Sequence, residues 1–427
     1  MTSKKNQNTV LYSKSMHWPP YTYRDYPEAN PKTLKEFEEL LQTENVSKTR
    51  KELQPWIPFC NSKCSFCYFP TEIISKNKIE HYLESLKKCL LHYSNTKYVQ
   101  TTDFSEIYLA GGTPSLMSVD QTIDLLNFCE KNFNMSDVKE IKITGCTHDF
   151  DYKKLKALSE YGVNQLDLGV QTFDDNLRQI LNLRQKATEV EKTIKTARKL
   201  GLRVSVDLIF NLPGQTLEIL SDDIQRALNL NVESADCYAL ELLPETELYN
   251  QIQSGKLPLK AREEIETKMY QETQKIFKKA GYKKTCHNRF SRIKEDFQEP
   301  CMEVIGTGAG FFMGNIGKFS YTDVDSSDSY IDTVSKGKFP ISKLWIPSVE
   351  DEMGKMMMNL LIRRPVNKRA FKNKFGKLPE EAFGKTITKL VNKGLVETDD
   401  KEIRLTELGD IWRINICWEF FQPNKKL

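Results

Sequence analysis

The sequence has no apolar run approaching the roughly 18 residues that a helix needs to cross a bilayer, which excludes a helical membrane span. Residues 1–8 are polar and lack the apolar core of a secretory signal. Neither sign of charge dominates: 62 basic residues face 58 acidic ones, for a net charge of +4. That balance provides no broad field to draw in nucleic acid or an anionic membrane surface. The ten cysteines form no small-domain disulfide framework, so a reducing compartment and a cytoplasmic protein are expected. What is present is 427 residues with 39% apolar content. Such a chain can bury a substantial core in two or three domains, or in one large α/β domain with an appendage.

Three of the cysteines are bunched. The stretch Pro58-Phe59-Cys60-Asn61-Ser62-Lys63-Cys64-Ser65-Phe66-Cys67-Tyr68-Phe69 spaces them C-x3-C-x2-C. Thiolate sulfur is the usual protein ligand of iron–sulfur centres, and three on one loop can each hold one iron of a [4Fe–4S] cluster. Tyr68 and Phe69 follow, with no fourth cysteine in the loop, so one iron would keep an open position of the kind catalysis needs. Zinc sites normally show two separated C-x2-C pairs or added histidines. Spacing alone leaves zinc and coincidence open.

Residues 1–50 read as a polar arm or lid containing one short amphipathic helix at 33–43. From Leu53 to Pro244, apolar strand-like runs alternate with charged helical stretches. Strands are expected at 53–59, 104–110, 138–144, 165–170, 204–210 and 235–243. Six strand–helix units predict parallel strands with right-handed crossovers, in a doubly wound sheet or a barrel. In both architectures ligands gather at the carboxyl ends of the strands, and the cysteine loop lies at such an end. A helix is expected at 263–280, and 320–335 reads as a surface loop rich in Ser, Thr and Asp. After Ser348 compact helices precede a short hairpin, the order of a winged-helix unit. The domains expected are an arm (1–50), a core (51–245), an extension (246–345) and a carboxyl-terminal unit (346–427).

Other strand ends carry polar punctuation. Gly111 and Gly112, before Thr113 and Pro114, let backbone N–H groups approach a carboxylate closely, although a bare Gly-Gly is also an ordinary turn. Gln171 closes the fourth strand and offers both donors and acceptors, although such a residue is usually structural. Asp207 lies on a strand otherwise made mostly of Val, Leu and Ile. Its burial calls for ligand hydroxyls or for a partner Arg or Lys. Cys89, Cys129 and Cys237 read as packing residues. Cys286, Cys301 and Cys417 are too dispersed to assign.

Trp56-Ile57-Pro58-Phe59-Cys60 with Cys64-Ser65-Phe66-Cys67 closely resembles the cluster loop of radical S-adenosylmethionine (SAM) enzymes, in particular the oxygen-independent coproporphyrinogen III oxidase family. Gly111-Gly112-Thr113-Pro114, Gly169-Val170-Gln171-Thr172-Phe173-Asp174 and Val206-Asp207-Leu208-Ile209-Phe210-Asn211-Leu212-Pro213-Gly214-Gln215-Thr216 resemble that family's later motifs. The resemblance implies a partial (β/α)6 barrel with a mostly helical, winged-helix-like carboxyl-terminal domain. It assigns a [4Fe–4S] cluster to Cys60, Cys64 and Cys67. SAM falls to Phe66 beside the adenine, Gly111, Gly112 and Thr113 at the methionine end, and Gln171 with Asp207 at the sugar. Further expectations are a second SAM near Gly306-Thr307-Gly308-Ala309-Gly310, a small-molecule substrate, an electron donor such as flavodoxin or ferredoxin, and a monomer without nucleic-acid or membrane partners. His287, within Cys286-His287-Asn288-Arg289, stands where family members carry a histidine near the active site.

Several departures bear on the substrate. Gln54 replaces a family tyrosine, and Phe69 replaces a cysteine. The carboxylate expected at the end of the third strand falls on Thr144, Gly145 or Cys146. The expected arginine falls on Leu183, with Arg184 one step late. In the terminal segment Ile414 takes the arginine position, and Arg413 comes one step early. The expected activity is reductive SAM cleavage to a 5′-deoxyadenosyl radical that takes hydrogen from a substrate other than coproporphyrinogen. Two alternatives are a C-methyltransferase or cyclopropanase using the second SAM, and a haem chaperone. Similarity running through the terminal segment is read as an argument against the chaperone.

Overall fold

The structure is a computed structural model that describes Tyr12 and residues 26–260, 263–286, 288–293, 302–310, 312–362 and 364–421. His287 and Cys301 lie outside the described residues. Six parallel strands form the centre: β1 (Lys51–Ile57), β2 (Glu106–Gly111), β3 (Glu140–Gly145), β4 (Gln165–Gln171), β5 (Arg203–Phe210) and β6 (Ser234–Ala239). They pair in chain order inside a twelve-stranded sheet that is not closed into a ring. The architecture is the partial (β/α)6 barrel that the alternation and the resemblance together predict.

Period-2 alternation explains both faces of these strands. Ile107 and Leu109, Leu166, Leu168 and Val170, and Val204, Val206 and Leu208 are buried in the main hydrophobic core with the surrounding helices. Residues of the opposite parity are polar: Glu52 and Gln54, Glu106 and Tyr108, Lys142 and Thr144, Asp167, Asp207 and Asp236. They face one another across the lumen. Lys142 reaches Glu106 at 2.5 Å and Glu52 at 3.6 Å, while the Thr144 hydroxyl donates to Tyr108 at 2.7 Å. Opposite charges thus satisfy one another where a small barrel would otherwise pack aliphatic side chains.

The small-residue run begins within a strand, β7 (Glu303–Thr307), which pairs in parallel with β1 on the side away from β2. One expectation for the extension is corrected. The stretch read as a surface loop is strand Phe319–Asp323 followed by helix Ser327–Ser335. Its Tyr321, Asp323, Ser327 and Tyr330 are fully buried. Some of the Ser and Thr hydroxyls that suggested a loop are spent inside: Ser320 donates to Asn315 at 2.7 Å, and Ser327 donates to Glu72 at 2.8 Å. Thr307 donates to the buried Asp323 at 2.6 Å. The amino-terminal helix runs Pro31–Leu41, capped by Asn30, with Phe37 and Leu41 buried.

A second hydrophobic core holds the carboxyl-terminal residues, including Met353, Phe371, Leu390, Ile403 and Phe420. Helices Lys368–Phe375 and Pro379–Asn392 stand against a three-stranded sheet of Val366–Asn367, Glu402–Leu405 and Val396–Thr398, as the winged-helix order predicts. Arg413 is buried and joins this unit to the extension. It pairs with Asp410 and donates to the Cys286 carbonyl at 3.1 Å.

Candidate active site

The cysteine loop leaves β1 at its carboxyl end and is fastened on both sides. Ser65 N–H donates to the Leu181 carbonyl at 3.1 Å, and Asn182 Nδ2 donates to the Lys63 carbonyl at 2.9 Å. Leu248 N–H donates to the Ser65 carbonyl at 2.8 Å. Phe66 packs with Leu177, Leu181, Ile209, Leu212 and Leu240. Cys60, Cys64 and Cys67 are unbridged and half-buried. Burial raises the Cys64 thiol, and the neighbouring Cys146, Cys67 and Cys60 raise it further. Burial also raises Cys67. A group of close thiols that resists charging by itself gains its thiolate form when a metal supplies the positive charge.

The glycine turn closes over this loop. Gly111 adopts a φ of +129°, and a Cβ there would lie 2.2 Å from the Ile57 carbonyl oxygen. A Cβ on Gly112 would lie 2.7 Å from the Phe59 carbonyl oxygen and 3.0 Å from Cys60 Sγ. Thr113 Oγ1 donates to Cys60 Sγ at 3.1 Å. The free thiols, their soft donor chemistry and a cradle that a single methyl would fill together fit an iron–sulfur cluster. Among the described residues, no group of three or more His, Cys, Asp or Glu is arranged to hold a single metal ion.

The turn after β3 completes the rim. Ser115 Oγ donates to Asp149 at 2.6 Å and lies 3.0 Å from the Cys146 N–H that donates to it. Asn61, inside the cysteine loop, donates to Asp149 at 3.2 Å. Arg184 donates to the Asn61 carbonyl at 3.1 Å, while Leu183 packs among apolar side chains. Arg184, rather than Leu183, is therefore the side chain that reaches the cysteine loop. Thr144 is bonded to Tyr108, which leaves Cys146, two positions further along the same face, at the strand mouth. Burial and the Asp149 charge push its thiol up to about 12.

Below the rim, Asp207 stands beside Asp236 in the β5–β6 register. Arg289 pairs with Asp236. Burial, then the charges of Asp236 and Asp167, hold the Asp207 carboxyl well above the usual carboxylate range, with Arg289 opposing. Gln171 sits at a positive φ of 68° where the β4–β5 register slips, and its amide folds back over Gly169. The structure thus gathers Cys60, Cys64, Cys67, Gly111, Gly112, Thr113 and Arg184 at one mouth, with Phe66 turned into the adjoining apolar cluster. Asp207 and Gln171 lie on the neighbouring strands. Sequence reasoning missed Asp236, its pairing with Arg289 and the Asn61–Asp149 tie. An acid on the sixth strand, at the parity of Asp207 on the fifth, is the signal that would have found Asp236.

Comparison with known proteins adds the family. Residues 55–227 match the model of the radical SAM superfamily, and residues 348–411 match the HemN C-terminal domain. The chain thus carries a radical SAM domain followed by a HemN C-terminal domain. It is similar to "Heme chaperone HemW" of Bacillus subtilis (strain 168), 29% identical over 363 residues, covering 83% of this chain and 95% of that one. It is also similar to "Anaerobilin synthase" of Escherichia coli O157:H7, 22% identical over 325 residues and covering 74% and 72%. Among solved structures, the Escherichia coli coproporphyrinogen III oxidase HemN superposes with a TM-score of 0.83 at 21% identity, covering 94% of this chain and 97% of that one. That likeness shows the fold. A relative named as a haem chaperone aligns over nearly its whole length, so the reach of the similarity does not argue against a chaperone. The radical SAM family implies a [4Fe–4S] cluster and SAM. No helix among the described residues is long and apolar enough to cross a membrane.

Proposed function

We propose that the chain is a radical SAM enzyme acting on an organic substrate other than coproporphyrinogen. The observation that carries this reading is the convergence of Cys60, Cys64 and Cys67 with Gly111, Gly112 and Thr113 at one barrel mouth. When bound together, cluster and SAM supply a radical able to take hydrogen from an unactivated carbon. The chain's own residues place and shield. Cys60, Cys64 and Cys67 hold three irons, and the Gly111–Gly112 backbone with Thr113 receives the methionine end. Arg184 contributes positive charge at the rim. Burial and the Asp236 and Asp167 charges raise the Asp207 carboxyl and favour its protonated form, which would hydrogen-bond the hydroxyls of a sugar. The loss of the strand-end carboxylate and the replacement of a family cysteine by Phe69 support a substrate other than a porphyrinogen propionate. Transfer of a methyl or methylene group from a second SAM belongs to the same proposal.

The curated relatives support a second reading, delivery of haem by a chaperone. Anaerobically reconstituted protein given SAM and reductant separates the readings. 5′-Deoxyadenosine alone is expected for hydrogen abstraction, and S-adenosylhomocysteine beside it for alkyl transfer. Neither product, with haem bound instead, would overturn the enzymatic reading in favour of the chaperone.

A further inference from the structure

We infer that Cys146 is a fourth ligand of the cluster site, capping the open iron until SAM takes that place. This rests on the cluster reading above. Parity puts residue 146 on the lumen side of β3, in line with Lys142 and Thr144. Its main-chain N–H is fixed by Ser115 Oγ at 3.0 Å, and Ser115 is itself fixed by Asp149, which Asn61 of the cysteine loop holds. Thr113, two positions before Ser115 in the same turn, donates to Cys60 Sγ at 3.1 Å. One short turn therefore ties Cys60 to the Cys146 main chain, although the two follow strands separated by β2, and it sets Cys146 beside the loop that carries a trio of metal-ligand type. Cys146 is one of four gathered thiols, with soft sulfur matched to iron.

The other residues at this strand end cannot perform the same task. Thr144 is engaged with Tyr108, and Gly145 packs its Cα against Ser115, where a Cβ would lie 2.3 Å from the hydroxyl oxygen. Ligation by Cys146 forms one Fe–S bond and releases the thiol proton to solvent. An incoming ligand breaks that bond, and the sulfur regains a proton. A capped iron is closed to oxygen and to adventitious ligands while the site waits for SAM. No redox change is required.

The test uses full-length protein reconstituted with iron and sulfide, as wild type, Cys146→Ser and Cys146→Ala. All three are expected to hold about four irons per chain. The EPR spectra of the reduced clusters are expected to differ between wild type and both variants without SAM, and to converge when SAM is added. SAM is expected to bind several-fold more tightly to the variants, because a competing ligand is gone. A residue that merely touches SAM would weaken binding when removed. The inference is overturned by SAM-free spectra that are the same in all three proteins, or by weaker SAM binding in the variants. Cys146→Ala guards against a folding defect peculiar to serine. A wild type that takes up no iron overturns the cluster reading itself, a result distinct from a loaded cluster indifferent to residue 146.

Discussion

Thr113 Oγ1 donates a hydrogen bond to Cys60 Sγ at 3.1 Å, joining the turn after β2 to the loop after β1. Hydrogen bonds to ligand sulfurs orient them and tune the metal. Thr113→Val keeps shape and removes the donor. Its expected effect is about 10-fold weaker retention of iron, the lower end of what loss of an outer-shell contact costs. Thr113→Ser, which keeps the hydroxyl, is expected to match the wild type. Iron content after equilibration against graded chelator reads the difference.

Gly112→Ala places a methyl 2.7 Å from the Phe59 carbonyl oxygen and 3.0 Å from Cys60 Sγ. Main-chain atoms cannot yield as a flexible side chain would, so the variant is expected to lose about 1–3 kcal/mol of stability. Urea unfolding measures that loss. Reconstituted Gly112→Ala is also expected to bind less iron than wild type at equal concentration.

Arg184 has a positive charge at the rim and holds the Asn61 carbonyl at 3.1 Å. Arg184→Gln keeps a donor and removes the charge. A charged hydrogen bond contributes about 1.5–3 kcal/mol, so SAM affinity in the reconstituted protein is expected to fall by at least about 10-fold. Calorimetric titration with SAM checks it, and unchanged affinity would remove Arg184 from the proposed contacts.

Asp323 gives a pH signature away from the site. Burial pushes its carboxyl up to about 7, against hydrogen bonds from Thr307 and the Gly308 N–H that lower it. The folded chain therefore holds this proton more tightly than the unfolded chain. Stability is favoured below about pH 4 and declines as pH rises towards 7. Asp323→Asn has no proton to lose. Between pH 5 and pH 8 the stability difference is expected to move in the variant's favour by up to about 3 kcal/mol. Urea midpoints at the two pH values decide it.

Much of this protein is legible in its sequence, for identifiable reasons. Strand–helix alternation from β1 to β6 has long, clean periods, and the thiol trio is recognisable by the residues that flank it. Helix Tyr152–Tyr161 has ends that are written in the sequence, because Asp151 caps one and Gly162, with a φ of +119°, terminates the other. The buried hydroxyl network around Asp323 was illegible because Ser and Thr look alike whether they meet water or a buried carboxylate. The partner of Asp236 was illegible because Arg289 arrives from an antiparallel strand 53 residues away. Arg184 and Leu183 could be told apart only by the turn that aims one at Asn61 and the other at the apolar cluster.

The parallel pairing of β7 with β1 has a consequence for biosynthesis. Lys51 finds its partner Glu303 only after roughly 250 further residues have been made. Until then the nascent chain displays an unpaired strand edge just ahead of its cysteine loop, the kind of surface that invites faulty pairing. A ribosome stalled before that partner strand therefore leaves a product whose β1 edge is open.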